Sequence, residues 1–178
     1  MLRAAAAAVL LSAGACLGLA APAAAEGDEA FFRQVAGQWS GPGEIVAGKY
    51  KGTKFVCTFD GLPHNGKIGV ALDGSCRVGV FAQKMRAELT RSGKSYTGRF
   101  QDGASGNGLD IVSGDVAGDK IVVGLDRKQL KGAMVARLAE SDKLAITVSV
   151  RVAGELVPVL GMNLDRVAGS TKQTALEQ

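Results

Sequence analysis

Few residues of this chain have the type and spacing that carry chemistry. His64 is the single histidine, and in Pro63-His64-Asn65-Gly66 it reads as a solvated turn residue. One imidazole and a few thiols fall short of a zinc or copper donor set, so no metal ligand is assigned. A Ser-His-acid relay would have to use His64, and no Gly-x-Ser-x-Gly elbow accompanies it. Gly66-Lys67 lacks the upstream glycine and the following Ser or Thr of a phosphate-binding loop. Seventeen acids pair by chance in many ways, so no carboxylate pair for glycoside chemistry stands out. The residues assign no catalytic group and no cofactor.

Two stretches have a binding chemistry worth naming. Asp126-Arg127-Lys128-Gln129-Leu130-Lys131 gathers three cations in a short span. It reads as a solvated loop or, functionally, as an anion or lipid-headgroup contact made by Arg127, Lys128 and Lys131. Asp102 to Asp110 reads as a flexible Gly/Asp hairpin loop at a barrel lip. Its Gly106-x-Gly108-x-Asp110-x-Val112 portion resembles one unit of a calcium-binding nonapeptide repeat, but a single copy supplies too few oxygens for the ion.

The first twenty-five residues read as a leader. Arg3 gives a positive start, Ala4 to Ala21 is almost uninterrupted apolar chain, and Ala23-Ala24-Ala25 is a small-residue cleavage site before polar Glu26-Gly27-Asp28. The expectation is a mature chain from Glu26 in the periplasm or outside the cell. The alternative is a lipoprotein cleaved before Cys16 and acylated there. The full chain carries a net charge of +4. Its cations are interleaved with acids, which argues against a nucleic-acid interface. No later stretch is apolar for long enough to cross a membrane as a helix.

The remaining cysteines, Cys57 and Cys76, form an even pair in an exported chain and read most simply as a disulfide. The loop it closes predicts about 3 kcal/mol in the chain-entropy account. A free redox pair is the alternative, without the Cys-x-x-Cys spacing that usually marks one.

The elements that must position these residues are mostly strands. Asp28 reads as the N-cap of a short helix through Phe31, Phe32 and Val35. Beyond it, glycines or charged turns recur at strand-length intervals, and the chain has 25 glycines. Phe55, Cys57 and Phe59 share a face. Ile68, Val70 and Leu72 follow the Asn65-Gly66 turn, and Asp73-Gly74 reads as a further turn. Tyr96 and Phe100, then Ile121, Val123 and Leu125, then Met134, Ala136 and Leu138 form later stripes. The cleanest alternation is Leu144, Ile146, Val148, Val150 and Val152. Val78 and Val80 are out of phase with Met85, Ala87 and Leu89, which predicts a β-bulge or bend near residues 81–83. Pro158 predicts an edge, a bulge or a bend in the last strand, from about Leu156 to Val167.

The expected fold is all-β: an antiparallel up-and-down barrel of about eight to ten strands with a short N-terminal helix, spanning residues 26–167, followed by a polar tail at 168–178. A two-sheet sandwich is the alternative.

Gly37-Gln38-Trp39, opening the first strand after a helix, resembles the Gly-x-Trp signature of lipocalins and the wider calycin group. The resemblance implies an eight-stranded barrel whose tryptophan closes one end beneath an arginine from the last strand. Arg166 shares parity with Leu160, Met162 and Leu164 and stands where that arginine would. The order of Gly37-Gln38-Trp39, Cys57 and Cys76 is also similar to periplasmic metalloprotease inhibitors of the alkaline-proteinase-inhibitor type. There an extended N-terminal segment enters the protease, whereas residues 26–36 here read as helix.

These readings together imply a non-catalytic exported barrel that binds a small apolar ligand or lipid. The alternatives are a protein inhibitor of a protease or lysozyme, and a structural component of the envelope.

Overall fold

The structure, a computed structural model, describes residues 23–64, 66–101, 109–128 and 130–169. Residues 1–22, which include Cys16 and most of the expected leader 1–25, residues 65 and 129, the 102–108 segment and the tail from residue 170 lie outside the described residues. The N-terminal helix α1 is Ala23–Val35, so the expected junction after Ala25 falls in its first turn. Ten strands follow: β1 Gly37–Ile45, β2 Lys54–Pro63, β3 Gly69–Val78, β4 Phe81–Ser92, β5 Ser95–Gln101, β6 Leu109–Ala117, β7 Lys120–Arg127, β8 Leu130–Glu140, β9 Lys143–Val152 and β10 Glu155–Arg166. Each pairs antiparallel with its neighbour in sequence, and β10 returns to β1, so the sheet is a closed barrel. Closure leaves no unpaired edge, which is why the sandwich alternative is not adopted.

Alternation decides what faces inward. Phe55, Cys57 and Phe59 on β2, Ile121, Val123 and Leu125 on β7, and Leu144 and Ile146 on β9 are buried in one contiguous core. Ten strands enclose more interior than eight, and α1 occupies part of it at one end with Phe31, Phe32 and Val35.

Three local expectations are corrected. The phase break after Val78 is a two-residue hairpin turn at Gly79-Val80, with Val78 opposite Phe81 and a regular ladder beyond, so there is no bulge at 81–83. Asp73-Gly74 is no turn but the middle of β3, opposite Asp60 and Phe59. A Cβ at Gly74 would meet the Thr58 carbonyl oxygen and the Phe59 ring at 2.0 and 2.8 Å, so the glycine serves close strand approach. Asp28 lies inside α1, since the helix starts five residues earlier, and caps nothing. A smaller difference concerns Ile68, which sits in the 64–68 connection just ahead of β3. Pro158 sits at a register shift between Pro158 and Leu160, a bulge that spares a ladder hydrogen bond proline cannot donate.

Because strand direction alternates, the connections divide into two groups. Residues 64, 66–68, 93–94, 118–119 and 141–142 lie at the end where α1 enters β1, here called the floor. Residues 46–53, 79–80, 128 and 153–154 lie at the opposite end, the mouth.

Candidate functional site

The floor is built around Trp39, which is 1% exposed. Its indole Nε1–H donates to the Val35 carbonyl at 2.8 Å, tying the first strand to the last turn of α1. The Arg166 guanidinium lies over the ring, 4.2 Å from its centroid, and Arg166 is the register partner of Trp39 across the β1–β10 seam. Its Nη1 donates to the Ala36 carbonyl at 2.8 Å, its Nη2 to the Gln34 carbonyl, and its Nε to the Ser141 carbonyl at 3.2 Å. A helix leaves its last carbonyls without partners and negative in potential, so a planar cation with several donors suits this position. Burial lowers the Arg166 pKa from its ordinary value, with Asp142 opposing; the group stays cationic at any ordinary pH.

A second set of contacts holds the other side of α1. The buried Tyr96 hydroxyl donates to Asp28 at 2.7 Å, Arg91 approaches the same carboxylate at 3.8 Å, and the Phe32 and Tyr96 rings lie 5.1 Å apart. Burial and the neighbouring Asp28 push the Tyr96 phenol well above its ordinary value of 10.0. The folded chain therefore keeps a proton that the unfolded chain releases above pH 10. Stability from this group is fully present below about pH 10 and is lost as pH rises toward the folded value. Tyr96→Phe is expected to cost about 1.5–3 kcal/mol at neutral pH, the range for a hydrogen bond to a charged group. It should also flatten the alkaline fall in stability, as read by urea melts at stepped pH.

Above the sealed floor the barrel encloses a cavity of about 260 Å³. Its wall comprises Phe32 and Val35 from α1, then Phe59, Leu72, Met85, Phe100, Ile121, Met134, Ile146, Leu160 and their inward neighbours. Every lining residue is apolar, and no polar or charged residue is buried among the described residues. Such a wall offers no proton donor, nucleophile or oxyanion contact. Its only means of selecting a guest would be shape and apolar area. Parity in the sequence located the strand stripes. It set Met85, Ala87 and Leu89 on one face, and all three line the cavity, but it missed the Gly79-Val80 turn that separates them from Val78.

The remaining residues fall in different places. Cys57 and Cys76 form a disulfide between directly opposed positions of β2 and β3, with 4.0 Å between Cα atoms. Arg127, Lys128 and Lys131 are at the mouth, the barrel end opposite Trp39 and Arg166. Lys128 occupies the β7–β8 turn with a φ of 55°, and Lys131 Nζ is 3.8 Å from Asp126. His64 lies in the 64–68 connection at the floor, half-buried rather than solvated. Its Nε2 is shielded from water without a hydrogen-bond partner among the described residues. No group of three or more metal-ligating side chains occurs among the described residues, and none of the described helices is long and apolar enough to cross a membrane.

No protein-family model and no curated protein matches the sequence. The barrel is similar to the crystal structure of Rv2717c from M. tuberculosis, with a TM-score of 0.59 and 16% identity over 79% of this chain and 97% of that one. A second similar structure, from Nostoc punctiforme, is a protein with unknown function of the DUF3598 family. Its TM-score is 0.49, with 13% identity over 76% of this chain and 49% of that one. At such identities the likeness to Rv2717c is one of fold.

Proposed function

We propose that the protein is an exported, non-catalytic carrier that holds one small apolar molecule, such as an acyl chain, inside the barrel. The observation that carries this reading is the cavity: about 260 Å³ with an entirely apolar wall. Unfilled apolar space weakens a core, and a cavity of about 150 Å³ already takes up benzene. The leader supports export to the periplasm. The Gly37-Gln38-Trp39 floor beneath Arg166 supports a calycin-like ancestry, although ten strands exceed the eight of that group.

Ala136 supplies the test. It faces inward between Ile121 and Ile146 on the neighbouring strands and lines the cavity. Ala136→Phe is expected to weaken binding of a fluorescent fatty-acyl probe at least tenfold, about 1.4 kcal/mol. The circular dichroism spectrum should stay that of a β-barrel. Ala87→Leu, a milder filler of the same wall, should give an intermediate loss. Absence of saturable uptake by the unaltered protein, or unchanged affinity in both variants, would remove the carrier reading.

A further inference from the structure

We propose that the mouth of the barrel docks on an anionic phospholipid bilayer. In this arrangement the apolar tips of its hairpins reach the boundary between headgroups and acyl chains, and the lysines around them contact lipid phosphates.

The first observation is where the exposed apolar side chains are. Val80 is 85% exposed, Phe81 79% and Tyr50 63%, and Leu130, Val152 and Leu156 are also exposed. They come from all four described mouth connections or the strand ends beside them. Among the described residues, the large exposed apolar residues at the floor end are Leu62, Val122 and Val167. A two-residue hairpin turn normally carries Gly, Asn or Asp. Gly79 meets that rule with a φ of 56°, but the second turn position is Val80, with Val78 and Phe81 on either side. Water gives no reason for that choice, and an apolar phase reached by the tip does.

The second observation is charge. Exposed Lys49, Lys51 and Lys128 sit in the same connections as the apolar tips, and Arg77, Lys84 and Arg151 flank them. Lys49 lies over the Tyr50 ring at 5.5 Å. Acids are present at both ends: at the mouth Lys131 meets Asp126 and Arg99 meets Asp110, and at the floor Arg33 meets Glu29, Arg91 meets Asp28, Arg137 meets Asp119 and Lys143 meets Asp165. Apolar and aromatic tips ringed by cations are what an anionic bilayer surface recognises. The tips belong to separate hairpins with cations between them. Two mouths face to face would set like charges against each other, which disfavours a second copy as the occupant.

Docking also rests in part on the carrier reading, because α1 seals the floor and a hydrophobic ligand must leave past the mouth. Set on a bilayer, the mouth would pass that ligand into the membrane without crossing water.

The test uses the full chain with a new tryptophan at either end, Phe81→Trp or Leu62→Trp. Vesicles carry brominated acyl chains that quench tryptophan on contact, and are made of phosphatidylcholine alone or mixed with phosphatidylglycerol. Trp39 is buried and gives a constant background. Quenching at position 81 should exceed that at position 62 several-fold on the mixed vesicles. It should fall in high salt and on phosphatidylcholine alone, and should vanish when Lys49→Glu, Lys51→Glu and Lys128→Glu are combined with Phe81→Trp. A retained leader runs into α1 at the floor and would favour quenching at position 62, the opposite of the expected ratio. Equal quenching at both positions, no quenching at either, or quenching indifferent to salt and lipid charge would overturn the proposal. Probe uptake needs no vesicles. A protein that binds the acyl probe but leaves position 81 unquenched keeps the carrier reading and loses the docking surface, and the reverse result does the opposite.

Discussion

Trp39→Ala is expected to destabilise the barrel by about 3–5 kcal/mol, the range for removing a buried Trp. Three losses coincide at this position. The indole volume disappears from beneath α1. The Val35 carbonyl loses its 2.8 Å donor. The Arg166 guanidinium loses the ring face it covers at 4.2 Å, a contact worth about 0.5–2 kcal/mol by itself. Arg166→Met separates these contributions. It keeps an apolar cover for the indole but leaves the Gln34 and Ala36 carbonyls without their cationic donor. Its cost should be smaller than that of Trp39→Ala, and the double variant should cost less than the sum of the singles because the residues share one contact. Chemical denaturation of the four proteins checks the cycle. Additive costs would mean that the stacked pair contributes nothing beyond its separate packing.

The second large effect is expected from the disulfide. Reducing Cys57–Cys76, or replacing both cysteines by alanine, should lower stability by about 3 kcal/mol in the chain-entropy account, given a separation of 19 residues. The bridge joins strands already hydrogen-bonded to each other, so the native fold should survive. Near-ultraviolet circular dichroism should be retained while the urea midpoint falls. A collapse of the barrel on reduction would show that the β2–β3 ladder cannot hold without it.

The sequence made some of this architecture legible and hid the rest for identifiable reasons. Leu144, Ile146 and Val148 alternate without interruption, and that period survives in β9 because nothing tertiary competes with it. Gly79-Val80 misled because only its first position carries a usual turn residue, and the apolar Val80 beside it reads as strand. Departures of this kind are expected at functional positions, and this one lies on the surface inferred to meet lipid. Asp73-Gly74 had the composition of a turn, but the glycine is there for the Phe59 ring across the ladder, which only the register reveals. Asp28 looked like a helix cap, and its partner, Tyr96, is 68 residues away. The cavity was beyond reach for a different reason. Stripes show which side chains point inward, but whether they fill the interior depends on strand number, and the residues fixed that only as about eight to ten.

One consequence follows from the seam between β1 and β10. Arg166 and the Ala36 carbonyl it grips are 130 residues apart, so the floor is completed by the last strand of the chain. A growing polypeptide has nothing to close upon until almost all of it has been made, and contacts so remote in sequence assemble slowly. Until then the sheet has two open margins, each with a row of unpaired backbone groups.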